Sequence, residues 1–195
     1  MLAVPWYSRH LHTLNRHTGA NLGMEKFGYS ITWIGMGGMK LKHLIHIILG
    51  MVNLSGIPDI ILIHCGANDV GEEPSGKLMY DMKVAFSSLK IEILPGCSII
   101  FSEMLPRRTC RSSNSTHKME KTRKRVNRGA RSCLLKLLGY VIKHPDFEDK
   151  YNGLFAKDDV HLSFIGYDIF INTLQGALES LFFLSSLPGL QLIAQ

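Results

Sequence analysis

The chain has 195 residues, of which 46% are hydrophobic and 19% are charged, as is ordinary for one globular domain that can bury a sizeable core. No uncharged stretch reaches the length of a membrane span, and the N-terminus lacks an apolar segment long enough for a signal peptide. The formal net charge of +6 permits attraction to nucleic acid or to anionic surfaces without requiring it.

The four cysteines show no paired spacing of the kind that binds a metal. Cys65 and Cys97 lie on or beside apolar segments that read as strands, which favours buried thiols over a disulfide framework. We therefore expect an intracellular, cytoplasmic protein that has no membrane partner.

Residues 1–28 show no regular periodicity and carry several basic residues and histidines. His10 and His12 could belong to a metal site, but no carboxylate stands close to them in the sequence. Scattered surface histidines are the favoured interpretation, and we predict an irregular, basic N-terminal segment, which could be a truncated first βα unit.

Two consecutive segments then predict the beginning of an α/β domain. The β-rich run 29–34 reads as a strand and is followed by the glycine turn 35–39 and by helical apolar spacing over 39–51. The run 60–65 is apolar almost throughout, without alternation, as in a parallel strand that is covered on both faces. It stops at Gly66-Ala67-Asn68-Asp69, and the carboxyl end of a buried parallel strand is where open α/β sheets bind ligands.

The alternation of strands and helices continues to the end of the chain. We predict helices over 76–91, 118–138 and 165–183, strands over 97–104 and 139–144, and an apolar tail over 184–195. In the helix over 118–138 the inward positions are expected to be Val126, Leu134, Leu135 and Leu138. The whole pattern predicts a three-layer α/β/α sandwich with a parallel sheet in flavodoxin-like order, formed by residues 29–183.

Two motifs resemble blocks of a known family. Gly66-Ala67-Asn68-Asp69 resembles the third block, Gly-x-Asn-Asp, of the SGNH or GDSL-like hydrolases, and Asp158-Asp159-Val160-His161 resembles their Asp-x-x-His, which precedes the last helix. The resemblance covers roughly residues 30–180. The run Ser-Glu-Met-Leu-Pro-Arg-Arg, at 102–108, is similar to the SGNH-like domains of vertebrate retroelements.

The resemblance implies a serine esterase that acts on small acyl esters without a metal or cofactor. It makes His161 the general base and acid, and Asp158 the group that orients the imidazole. Asn68 and the backbone N–H of Gly38 would stabilise the oxyanion, a role worth about 3–4 kcal/mol per donor. From the residues alone, Gly38 fits a plain tight turn equally well, and a lone histidine such as His161 is more often structural.

The nucleophile departs from the family pattern, because no Gly-Asp-Ser tripeptide exists in the chain. Ser8, within Trp-Tyr-Ser-Arg-His, is the serine placed well enough to replace it. The favoured interpretation, however, is that the first strand and its block are lost or lie upstream of Met1, because Ser8 has neither the glycine nor the aspartate of the motif before it. We therefore predict weak or absent ester hydrolysis.

Residues 107–131 hold ten of the 22 lysines and arginines. The favoured interpretation is the solvated face of an amphipathic helix. The alternative is a non-catalytic binding module that contacts nucleic acid through this segment, with Arg123, Lys124 and Arg125 as candidate phosphate ligands.

A metal hydrolase is disfavoured, because Asp158 and His161 lack further ligands at useful spacing. The sequence does not predict an oligomeric state.

Overall fold

The computed structural model describes residues 2–3, 19–109, 115–148 and 153–185. The candidate nucleophile Ser8, the histidines His10 and His12, and the greater part of the apolar tail lie outside the described residues.

Within these residues, five parallel strands form one sheet in the order β2-β1-β3-β4-β5. The strands are β1 (Leu2–Ala3), β2 (Trp33–Ile34), β3 (Ile60–Ile63), β4 (Ser98–Ser102) and β5 (Tyr140–Ile142). This is the flavodoxin-like order, so the predicted fold class is confirmed. Because all the strands run in the same direction, their carboxyl ends meet at one edge of the sheet.

In the described part of the chain, four α-helices cover the two faces of the sheet. They are α1 (Leu44–Ser55), α2 (Ser75–Ser88), α3 (Thr116–Lys136) and α4 (Phe164–Ser185). Short 3-10 helices form at Met24–Phe27, Leu41–His43 and Pro145–Phe147, and a π-helical turn at Leu89–Ile93 extends α2. None of the helices in the described part of the chain is long and apolar enough to cross a membrane.

Alternate residues of the central strands face two separate hydrophobic cores. Ile61, Ile63, Ile99 and Phe101 pack against α1, α2 and α3 on one face, whereas Leu62 and Ile100 pack against α4 on the other. Burial on both faces explains why the sequence of β3 is apolar without alternation.

The N-terminal segment differs from the expectation of an irregular stretch. Leu2 and Ala3 pair with both β2 and β3, so this two-residue strand lies inside the sheet rather than at its edge. Two residues carry no periodic pattern of their own, which is why the sequence did not reveal this strand. Strand β2 is shorter than the predicted strand over 29–34, since it occupies Trp33–Ile34.

Helix α3 ends earlier than the sequence predicted, and this changes the environment of Leu138. Val126 and Leu134 are buried as expected, but Leu138 lies beyond the last helical residue, has a φ of 57° and is 74% exposed. The N–H of Leu138 donates to the carbonyl of Leu135 at 3.1 Å, which closes the turn that leads into β5. The prediction that Leu138 faces inward is therefore wrong.

Candidate active site

A cleft of about 290 Å³ lies at the edge where the carboxyl ends of the strands meet. The loops that follow β2, β3 and β4 line it, together with the segment that precedes α4. The described lining residues that matter to the site are Gly38, Lys40, Asn68, Arg107, Thr109 and Val160. This is the location that the sheet topology predicts for a ligand.

Gly66 allows the chain to turn sharply where it leaves β3. Its φ is 100°, and a Cβ atom there would lie 2.5 Å from Cε of Met82. The N–H of Asp69 then donates to the carbonyl of Gly66 at 3.0 Å. This tight turn brings Asn68 to the cleft, and only glycine fits at its first position.

Asn68 and Asp69 together hold the glycine turn that contains Gly38. Nδ2 of Asn68 donates to the carbonyl of Met39 at 2.9 Å, and Oδ2 of Asp69 accepts the N–H of Leu41 at 3.0 Å. Gly38 itself is exposed with a φ of 69°. Two neighbouring residues of one loop therefore fix the backbone on both sides of Lys40, so that Gly38 and Asn68 line the same cleft.

The carboxyl group of Asp69 is buried among these contacts. Burial raises the pKa of Asp69, while the N–H of Leu41 and the charge of Lys40 act in the opposite direction. Asp69 is thus a positioning residue for the glycine turn, a role for which the sequence offered no signal other than its place in the Gly-x-Asn-Asp motif.

Asp158 and His161, to which the resemblance gave acid–base roles, form a hydrogen-bonded pair. Oδ2 of Asp158 bonds to Nδ1 of His161, and Oδ1 accepts the backbone N–H groups of Val160 at 3.0 Å and His161 at 2.9 Å. The bond from the imidazole and the two backbone donors hold the pKa of Asp158 well below its ordinary value. An ionised carboxylate can only accept, so Nδ1 of His161 carries the proton and Nε2 has the lone pair of a base.

The loop after β4 holds this pair in place. Arg108 donates its N–H to the carbonyl of Asp159 at 2.9 Å, and Oγ1 of Thr109 donates to the carbonyl of Asp158 at 3.0 Å. Asp159 takes a φ of 56°, a conformation that side chains other than glycine adopt only when the surroundings hold it. The backbone between Asp158 and His161 is therefore set by contacts with a neighbouring loop.

The same loop also reaches Asn68, one of the two candidate oxyanion residues. Nη2 of Arg107 donates to Oδ1 of Asn68 at 2.6 Å. Arg107 belongs to the Ser-Glu-Met-Leu-Pro-Arg-Arg run, but nothing in the sequence indicated that it would meet a side chain 39 positions away. Residues 107–109 thus contact both Asn68 and the loop that carries Asp158 and His161.

The structure gives the three candidate phosphate ligands different environments. Arg123 is buried and binds Glu120, Glu148 at 2.7 Å and the carbonyl of Met104 at 2.7 Å. Lys124 is exposed and pairs with Glu148 at 3.0 Å. Arg125 is exposed and makes no ion pair with another described residue. Arg123 therefore links α3 to the core and is not available to a phosphate.

No group of three histidine, cysteine, aspartate or glutamate side chains in the described ranges could hold a metal ion. The thiols of Cys65 and Cys97 are buried and free; Cys65 follows β3 and Cys97 precedes β4.

The likeness of this chain to known proteins is a likeness of fold. No family model matches the chain, and a search of curated proteins found no match. Among solved structures, a GDSL-like lipase from Bacteroides thetaiotaomicron has a TM-score of 0.66 at 16% identity, over 92% of this chain and 87% of that chain.

Two further structures give similar values. The psychrotrophic esterase EstA from Pseudoalteromonas sp. has a TM-score of 0.66 at 11% identity, over 93% of this chain and 97% of that chain. A lipase/acylhydrolase from Enterococcus faecalis has a TM-score of 0.67 at 16% identity, with 92% and 95% covered. Identities this low show the fold alone. The chain therefore has the α/β fold of the SGNH, or GDSL-like, lipases and acylhydrolases, as the two motifs predicted.

Proposed function

We propose that this chain is an SGNH-type carboxylic ester hydrolase domain with impaired catalysis. The observation that carries the proposal is the Asp158–His161 pair, whose loop borders the cleft that Gly38 and Asn68 line. This arrangement is the acid–base and oxyanion half of an acyl-transfer site. The half that depends on a positioned serine lacks its Gly-Asp-Ser motif.

The chemistry proposed for the site follows from these groups. Nε2 of His161 takes the proton of the attacking hydroxyl, which belongs to Ser8 or to a water molecule, as that oxygen bonds to the ester carbonyl carbon. The carbonyl electrons move to the oxygen, and Nδ2 of Asn68 and the N–H of Gly38 donate to the oxyanion. The bond to the leaving alkoxide then breaks, and His161 returns its proton to the alkoxide. When Ser8 is the attacking group, a water molecule then attacks the acyl-Ser8 ester, His161 takes its proton and returns it to Oγ of Ser8, and the carboxylic acid is released.

Two narrower features belong to the same proposal. The Ser-Glu-Met-Leu-Pro-Arg-Arg run supports descent from the SGNH-like domains of vertebrate retroelements. The buried, free thiols of Cys65 and Cys97 support a reducing, intracellular location.

Hydrolysis of p-nitrophenyl acetate by the full chain tests the proposal. We expect a weak rate above the buffer background, and we expect His161→Ala to remove it because no other base takes the proton. We expect Ser8→Ala to change the rate by less than about tenfold, because a serine without its turn contributes little. The control is His46→Ala, which removes an exposed histidine of α1 and should leave the rate unchanged.

Two results would count against this proposal in different ways. Equal rates for the native chain and His161→Ala would remove the esterase assignment. Robust turnover that disappears in Ser8→Ala, with covalent labelling of Ser8 by a fluorophosphonate, would instead show that catalysis is intact and that Ser8 is the nucleophile.

A second candidate function, nucleic-acid binding, is supported by one stripe of α3. Lys118, Lys121, Arg125 and Arg128 are all exposed, and none forms an ion pair with another described residue. Their spacing of three, four and three residues places them on one side of the helix, over about 15 Å. Four unpaired cations in a row are suited to successive phosphates of a nucleic-acid backbone.

Salt-dependent binding to a fluorescent 20-nucleotide oligonucleotide tests this candidate. We expect the quadruple change of Lys118, Lys121, Arg125 and Arg128 to Ala to flatten the slope of log K against log salt by roughly 3 phosphate equivalents. The control is Lys124→Ala, because Lys124 is already paired with Glu148 and should contribute little to the slope. Absence of binding at low salt, or an equal slope in the quadruple variant, would rule the stripe out.

A further inference from the structure

We propose that Arg107 is the positioning residue of the oxyanion site, because it locks the side-chain amide of Asn68 in the one orientation that can donate to substrate. This inference rests on the proposed esterase function for its catalytic consequence. The structural claim, that Arg107 orients the amide, depends only on the contacts of Asn68 with Met39 and Arg107.

The Asn68 amide is held at both ends by groups of opposite kind. Nδ2 donates to the carbonyl of Met39 at 2.9 Å, and Oδ1 accepts from Nη2 of Arg107 at 2.6 Å. A flipped amide would set Nδ2 against a guanidinium that can only donate, and Oδ1 against a carbonyl that can only accept. The network therefore permits a single orientation, in which the second hydrogen of Nδ2 remains as a donor in a fixed plane.

The charge of Arg107 strengthens that donor as well as orienting it. A hydrogen bond from a cation to Oδ1 is charge-assisted and draws electron density from the amide, which makes its N–H groups better donors. The positive charge of Arg107 also acts on neighbouring groups. It adds to the lowering of the pKa of Glu72, which the hydrogen bond with Lys40 mainly causes, and of His64, which burial mainly causes. An oxyanion that forms beside Asn68 would experience the same favourable field.

Neighbouring residues restrain the backbone at Arg107, which limits the positions that its guanidinium group can take. Pro106 restricts the chain on one side. On the other, the N–H of Arg108 and the hydroxyl of Thr109 bond to the carbonyls of Asp159 and Asp158. Arg107 therefore also connects the position of Asn68 to the loop that carries His161.

The first experiment reads the amide of Asn68 directly and does not need turnover. In ¹⁵N-labelled full chain, the Nδ2 resonances of Asn68 are assigned by their loss in Asn68→Asp. We expect Arg107→Met to shift these two proton resonances and to speed rotation about the amide bond, as one end of the amide is released. The matched control is Lys42→Met. Lys42 is an exposed lysine whose positive charge, like that of Arg107, acts on Glu72, and its removal leaves the contacts of Asn68 intact.

The second experiment measures ester hydrolysis in the same variants. We expect Arg107→Met to lower kcat by about tenfold or more with KM within about twofold, because the oxyanion donor acts in the transition state. Arg107→Lys keeps the charge and one donor and should recover part of the loss. Lys42→Met should match the native rate.

The outcomes separate this inference from the esterase proposal. A shifted Asn68 amide without measurable hydrolysis in any variant supports the positioning role and contradicts the esterase proposal. Unchanged Asn68 resonances in folded Arg107→Met, or an equal loss of kcat in Arg107→Met and Lys42→Met, overturn the positioning role. If Arg107→Met does not fold, Arg107→Ala takes its place in both experiments: shifted Asn68 resonances in that variant support the role, and unchanged resonances overturn it.

Discussion

Gly166→Ala is expected to lower the free energy of unfolding by about 3 kcal/mol or more, which places it among the most damaging single substitutions. Gly166 lies in the first turn of α4, where an added Cβ would stand 2.0 Å from the carbonyl oxygen and 3.0 Å from the carbonyl carbon of Leu154. Both atoms belong to the backbone and cannot rotate away. The methyl group therefore forces α4 and the chain at Leu154 apart.

The same displacement should reach the candidate active site. The N–H of Ser163 donates to the carbonyl of Leu154 at 3.0 Å, and that of Ala156 donates to the carbonyl of His161 at 2.8 Å. These bonds close the loop that carries Asp158 and His161 onto the start of α4. We expect Gly166→Ala to remove ester hydrolysis along with stability.

Denaturant unfolding of Gly166→Ala and Gly176→Ala checks this prediction. Gly176 lies in the same helix, is exposed, and has open space around its Cβ position. Alanine there should stabilise the chain by about 0.5–1 kcal/mol through helix propensity alone. Equal stability of the two variants would show that α4 does not press on Leu154 as described.

Acidification is expected to destabilise the protein through a buried histidine cluster. Ser102 lies at the end of β4 between two rings: its Oγ is 2.9 Å from Nδ1 of His64 and 2.7 Å from Nε2 of His144. Both histidines are buried, and both rings pack against Phe170 of α4. Nδ1 of His144 has no hydrogen-bond partner among the described residues.

Burial lowers the pKa of both histidines. It takes the pKa of His64 to about 4, with the charge of Arg107 acting in the same direction and a hydrogen bond to Ser102 against it. It takes the pKa of His144 to about 3, to which the neighbouring His64 contributes. In the unfolded chain each imidazole returns to its ordinary pKa of 6.5 and binds a proton more readily.

The sign of the effect follows from proton linkage. Because the folded-state pKa values are lowered, the unfolded state binds more protons below pH 6.5, and the free energy of unfolding falls as the pH decreases. The contribution of His64 alone between pH 7 and its folded pKa is about 3 kcal/mol. The contribution of the two neutral histidines to the free energy of unfolding should be complete above pH 6.5 and should be lost progressively as the pH falls towards their folded-state pKa values.

Unfolding curves at several pH values measure this loss. The triple variant His64→Leu, Ser102→Ala, His144→Leu removes the whole network without stranding a polar partner, and it should flatten the pH dependence. The exposed His46 is the control, because His46→Gln should leave the native slope unchanged. A triple variant with the same acid sensitivity as the native chain would assign the loss to other groups.

The sequence by itself determined the central strand, the loop that follows it and the fold class. An apolar run covered on both faces has no other common explanation than a buried parallel strand, and β3 occupies Ile60–Ile63 within the predicted range. The pair Asp158 and His161 was also visible, because the two residues are three positions apart and interact within one loop. Local patterns of this kind need no knowledge of the rest of the chain.

Only the tertiary structure decided the contacts that join distant segments. The strand Leu2–Ala3 exists because β2 and β3 lie on either side of it, and two residues have no periodicity from which to infer it. Arg123 is a buried ion-pair partner rather than a surface cation, because the fold brings Glu148 and the carbonyl of Met104 to it. Arg107 meets Asn68 for the same reason: two loops at one sheet edge become neighbours only when β3 and β4 pair in parallel.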